Sequence, residues 1–175
     1  DRHAGSIFGL ASGVVYEVEA RLVDPDGPDD VRSISARTRT VPHTMAGAPI
    51  RSATPATLAS VLGSASAGDV IRLGAGSYSG FSVDRSGSAG RPIVVRGAPG
   101  AVVNGEIGIF DQTDVHVEDL TVNGRIRFNG SDRVAITGNT INTVEDRGGY
   151  GIVTFTRAED SYIADNTING LTVWR

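Results

Sequence analysis

Four short segments of the chain repeat: Val103-Asn104-Gly105, Val122-Asn123-Gly124, Ile141-Asn142-Thr143 and Ile168-Asn169-Gly170. Their asparagines stand 19, 19 and 27 residues apart. Other columns keep the same offsets. Thr121, Thr140 and Thr167 precede the apolar residue, and Asn139 and Asn166 stand two positions before it. After the asparagine come Ile107, Ile126 and Val153, then Ile109, Phe128 and Phe155. Self-similarity at a period near 20 marks a solenoid, in which each coil buries its apolar residues by stacking on the next. Ile107 is therefore expected to lie on Ile126. Asn139 and Asn166 are expected at a turn, where stacked amides bond along the axis, and Asn104, Asn123, Asn142 and Asn169 at coil corners.

Composition narrows the chemistry. The 175 residues include no cysteine, which excludes disulfides and thiol chemistry, and all 16 basic residues are arginine, so no lysine within the chain can act as a base. A net charge of −4 argues against non-specific nucleic-acid binding, which needs a basic face. No run of about 18 apolar residues offers a membrane span.

Ahead of the repeat, Tyr16, Val18, Ala20 and Leu22 alternate with Glu17, Glu19 and Arg21, as in a half-buried strand. The turn-rich stretch 24–30 leads to a second strand over 31–40. This pattern resembles the last strands of a fibronectin type III or related immunoglobulin-like module, in which a tyrosine hydroxyl pins the corner before its strand. Two or three strands cannot bury a sandwich core alone, so residues 1–41 read as part of a module. Residues 42–53 read as a linker. Thr54 and Pro55 then suit the start of a helix and Gly63 its end, with Leu58, Val61 and Leu62 on one face. A helix over 55–63 would cover the open end of the stack.

Residues 54–175 carry a further resemblance. A helix, then Gly68-Asp69-Val70-Ile71-Arg72-Leu73 and Gly76-Ser77-Tyr78, then Gly90-Arg91-Pro92-Ile93-Val94-Val95-Arg96-Gly97, resembles the opening coils of right-handed parallel β-helix proteins. Among them it looks most like the polysaccharide lyase family that contains chondroitinase B and alginate lyases. The fold expected is all-β: a right-handed parallel β-helix with a short capping helix, preceded by partial sandwich strands. The resemblance implies calcium, a lysine base and an arginine acting on an acidic polysaccharide. With no lysine present, no catalytic residue is carried over to this chain.

Outward positions then hold the candidate site. Glu106, Arg125 and Ile152 are expected in one column, and Gly108, Arg127 and Thr154 in the next. Arg127 has no acid in its own column, which suits a sugar carboxylate or sulfate. The eight extra residues of the last repeat bring Glu145, Asp146, Arg147 and Tyr150 together. Glu145 and Asp146 have the oxygen ligands for Ca²⁺ or the carboxyl pair for acid–base work. Arg147 and Tyr150 would contact the glycan, the tyrosine by stacking on a sugar ring. His116 alternates outward between Val115 and Val117 as a lone surface histidine. Two functions follow: a secreted polysaccharide lyase working by β-elimination, or a non-catalytic cell-surface β-helix that binds glycan or protein. The sequence stops in strand-like Leu171-Thr172-Val173-Trp174 with no cap. The chain is thus expected to be incomplete and inactive alone, pairing at that end with further coils or a second copy.

Overall fold

The computed structural model describes residues 6–143 and 149–170 and divides into two compact units, Asp1–Pro42 and His43–Arg175. The first is a hairpin: β1 (Val15–Leu22) pairs antiparallel with β2 (Asp30–Arg37), Val15 opposite Arg37 and Leu22 opposite Asp30. The Tyr16 hydroxyl accepts a hydrogen bond from the Ala11 N–H at 2.8 Å, fastening the approach segment to the strand it feeds. Val15, Leu22, Val31 and Ile34 stay exposed, as the shortage of strands predicts.

The second unit is a parallel β-helix. Its strands in chain order are β3 (Ile50–Ala53), β4 (Val70–Leu73), β5 (Gly76–Val83), β6 (Ile93–Gly97), β7 (Ala101–Phe110), β8 (Val115–Glu118) and β9 (Thr121–Asn129). Then come β10 (Ser131–Asp132), β11 (Ala135–Thr137), β12 (Thr140–Asn142), β13 (Ile152–Val153), β14 (Ala158–Glu159), β15 (Tyr162–Ala164) and β16 (Thr167–Asn169). One parallel sheet runs β3-β4-β6-β8-β11-β15; a second runs β5-β7-β9-β12-β16, with β13 also on β9. Strands β10 and β14 form a short third ladder.

The repeat columns become physical columns. Val103, Val122, Ile141 and Ile168 stack in register, and Ile107 lies on Ile126. Ile71, Val95, Val117 and Ile136 form the matching column of the first sheet, and all four are fully buried. Outside the bore, the Nδ2 of Asn123, Asn142 and Asn169 each donate to the Oδ1 of the asparagine one coil earlier, at 2.8, 2.9 and 3.0 Å.

Corners recur with the same period. Asp114, Arg133 and Asp160 all have φ between 50° and 55°, and Asp119, Gly138 and Asp165 between 56° and 67°. Aspartate enters this left-handed region more readily than most residues. Arg133 is the exception, and its Nε and Nη2 donate to the two carboxylate oxygens of Asp114, at 2.9 and 2.8 Å. Asn139, buried beside the second of these corners, accepts from the Leu120 N–H at 3.0 Å. Its Nδ2 donates to Val117, Thr137 and Asn166 oxygens.

Two boundaries differ from expectation. The helix α1 spans Leu58–Gly63; residues ahead of it form a turn in which the Thr57 hydroxyl accepts from the Thr54 N–H at 2.9 Å. Leu58 and Leu62 are buried in the core and Val61 packs against it, so the helix covers the bore beside β3 and β4. The supposed linker, 42–53, ends in β3, a coil strand paired with β4 from Ile50 on Val70 to Ala53 on Leu73. Its sequence, Ile-Arg-Ser-Ala, has too little apolar alternation to announce a strand; its partner supplies the order.

The second sheet bends where Gly105 pairs with Gly124 (φ 131° and 156°). A Cβ on Gly124 would lie 2.0 Å from the Gly105 carbonyl oxygen, so successive backbones touch here. Gly124→Ala should cost more than about 2 kcal/mol in urea denaturation. Gly63→Ala, whose Cβ meets nothing within 4 Å, should be neutral or slightly stabilising. Asn139→Ala strands the Leu120 N–H in the core and leaves a cavity, and should cost about 3 kcal/mol in the same assay.

Candidate functional site

Beyond the glycine bend, β7 and β9 present outward side chains while Ile107, Ile109, Ile126 and Phe128 fill the bore. Glu106 stands opposite Arg125, Gly108 opposite Arg127, and Phe110 opposite Asn129. The Glu106 carboxylate bridges both arginines: Oε2 bonds Arg125 Nε, and Oε1 lies 2.8 Å from Arg127 Nη2. The Phe110 ring covers the Arg127 guanidinium at 4.8 Å, a cation–π contact. Gly108 makes this possible, since a Cβ there would strike that ring. The Arg127 side chain is 30% exposed, against 18% for Glu106. Arg127 Nε is buried without a hydrogen-bond partner. Beside this cluster a concavity of about 370 Å³ is lined by Phe81, Ser82, Asn104, Glu106 and the glycines Gly80, Gly105 and Gly108.

Arg127 is therefore not the unpaired arginine that column-by-column reasoning gives. Its acid stands one coil away on the diagonal, within reach because both side chains are long. A second correction concerns β13. Ile152 pairs with Ile126 and Val153 with Arg127, one residue from the expected register. The offset between coils is 26 residues at β13 but 27 at β14, where Ala158 pairs with Ser131. Seven of the eight extra residues thus precede β13 and one follows it. That last residue puts Phe155 outside the bore, 58% exposed, its N–H on Asn129 Oδ1 at 2.9 Å. The slip exchanges faces, as any one-residue shift of a strand does.

Tyr150 is exposed and meets Phe155 edge to face, ring centroids 5.7 Å apart. The two aromatics flank β13, whose Val153 is the register partner of Arg127. Glu145, Asp146 and Arg147 lie outside the described residues. Among the described residues no three carboxylate or imidazole groups converge as a metal site would require.

On the first sheet His116 does alternate outward, yet it is buried, only 5% exposed. Its column neighbours Val94 and Ala135 are buried as well. Arg96, which bonds Glu118 at 2.7 and 2.9 Å, also donates to the Thr44 hydroxyl at 2.6 Å, anchoring the segment ahead of β3 on this face. His116 Nδ1 is 3.7 Å from Glu118 Oε1. Burial pushes the Glu118 carboxyl upward, but His116 and Arg96 outweigh it and hold the group below its ordinary value. This contact set was hidden because Thr44 and Arg96 are 52 residues apart.

No protein-family model and no curated protein sequence matches the chain. Among solved structures, it is similar to a crystal structure of an alginate lyase from Paenibacillus sp. str. FPU-7, with a TM-score of 0.59 and 24% sequence identity. The match covers 67% of this chain and 44% of that one, so the chain corresponds to less than half of the lyase's length. At this identity the likeness establishes the fold: a β-helix of the type on which a polysaccharide lyase is built.

A carboxylate held below its ordinary value stabilises the fold fully at neutral pH, and loses that contribution as pH falls through its folded-state value. Wild type should therefore exceed Glu118→Gln in stability at pH 7. Urea titrations repeated from about pH 5 downward should show the gap closing.

Proposed function

We propose that this chain is part of a secreted, carbohydrate-active β-helix protein of the polysaccharide lyase type, and that the face formed by β7, β9 and β13 contacts an acidic glycan. The observation that carries this reading is the Arg125–Arg127 pair: two guanidiniums at alternate positions on a flat outward face, beside a concavity and next to the exposed Tyr150–Phe155 pair. Guanidinium is the side chain best matched to carboxylate and sulfate, which it binds through paired hydrogen bonds. Tyr150 supplies an aromatic surface for a sugar ring. The alginate lyase likeness supports a polysaccharide partner through the shared fold alone.

In a β-elimination the uronate carboxylate is neutralised, a base removes the proton at C5, and the bond to the leaving oxygen at C4 breaks. Arg127, with Arg125 beside it, fits the neutralising role. The base is unassigned, since no lysine is present and Glu106 is held by both arginines. Glu145 and Asp146 would supply oxygen ligands for Ca²⁺. The engaged Glu106 carboxylate also favours a second reading, a surface β-helix that holds glycan without cleaving it. The tyrosine-pinned hairpin suits the end of a sandwich-type module in either case.

Titrating an oligomer of 1,4-linked uronic acid into wild type and Arg127→Ala tests the site. Loss of about 1.5–3 kcal/mol, roughly a tenfold to hundredfold rise in Kd, is expected for the variant. Equal affinity in both would remove Arg127 from the site. Unsaturated product, read by ultraviolet absorbance of the same mixtures, separates lyase from non-catalytic binder.

A further inference from the structure

Glu106 is the one acid in contact with both arginines among the described residues, and its two oxygens are divided between them. Arg127 spends Nη2 on that carboxylate, its π face is covered by Phe110, and its Nε has no partner. The guanidinium thus holds an anion already while part of its donor set is unmet. A ligand carboxylate or sulfate seeks the same N–H groups, and Glu106 has the advantage of being tethered, which gives it a high effective concentration.

We propose that Glu106 is a resident competitor: it occupies the arginine pair in the free protein, an anionic ligand takes its place, and Glu106 thereby sets the affinity of this face. The proposal rests on the acidic-glycan reading above. Two further features fit an exchange. Glu106 also lines the concavity, so its displaced side chain has room to turn, toward Ser82 and Asn104. Displacing Glu106 also frees the Arg127 N–H groups that it holds, for a polymer that brings one charge per sugar, whereas a neutral chain gains nothing from the exchange.

The experiment compares wild type, Glu106→Gln, Arg127→Ala and the double variant by calorimetric titration. Two probes are used: an oligomer of 1,4-linked uronic acid and, separately, inorganic sulfate. Glu106→Gln should bind each anion about tenfold more tightly than wild type, roughly the value of one charge-assisted hydrogen bond. The gain should vanish in the Arg127→Ala background. Equal or weaker binding by Glu106→Gln, with wild-type binding measurable and sensitive to Arg127, would overturn the proposal and leave the glycan reading standing. Sulfate following the expected pattern while the oligouronate binds no variant would do the reverse. Silence from both anions in every variant would sink both. Should Glu106→Gln not fold, Glu106→Asp is read in its place, with a smaller gain because the shorter carboxylate reaches the arginines less well.

Discussion

Everything in the larger unit follows from backbone bonding between identical positions of successive coils, with neighbouring strands about 4.8 Å apart. At that distance a residue's nearest neighbours are its own equivalents one coil up and one coil down. Each column must therefore tolerate itself. Inside the bore only apolar residues do, hence the fully buried stack Ile71, Val95, Val117, Ile136. An amide tolerates itself because it is both donor and acceptor, which is why asparagine fills one corner inside and one row outside. Charges do so by alternating in sign, as in Asp114–Arg133 and Glu106–Arg125. Arg72 beside Arg96 breaks the pattern, and there Arg72 stays exposed while Arg96 turns to Glu118 on its other side.

That rule also explains what could be read in advance. Columns were legible wherever coil length stayed constant, because a period of 19 converts directly into contacts. Val103 on Val122 and Ile107 on Ile126 needed no other information. Legibility failed where contacts leave the column. Glu106 reaches Arg127 diagonally, and Arg96, on the sheet face that carries His116, bonds Thr44 far away in the chain. It failed again where coil length changed, since the number of extra residues says nothing of how they divide around β13. Ile50–Ala53 escaped notice for a third reason: a strand at the end of a stack has its order imposed by one partner rather than by its own pattern.

The candidate face is electrostatically unusual for this molecule. Arg133 and Asp114, by contrast, pair one cation with one anion along a column. Here one carboxylate serves two guanidiniums, and an aromatic ring closes over one of them. A carboxylate divided in this way is the acceptor that an incoming anion would replace.

The bend at Gly105 and Gly124 has an engineering consequence. In β7 and β9 the chain crosses it in the shortest way available, a single glycine pressed against the backbone below. One coil later the same crossing, from Asn142 to Ile152, takes seven residues more, and β13 still docks on β9. A short detour fails because it must pass through space the neighbouring coil fills, whereas the longer crossing still delivers β13 to its ladder. The corner least able to accept one methyl group is thus the natural place to graft a loop, and with it a new wall for the groove beside it.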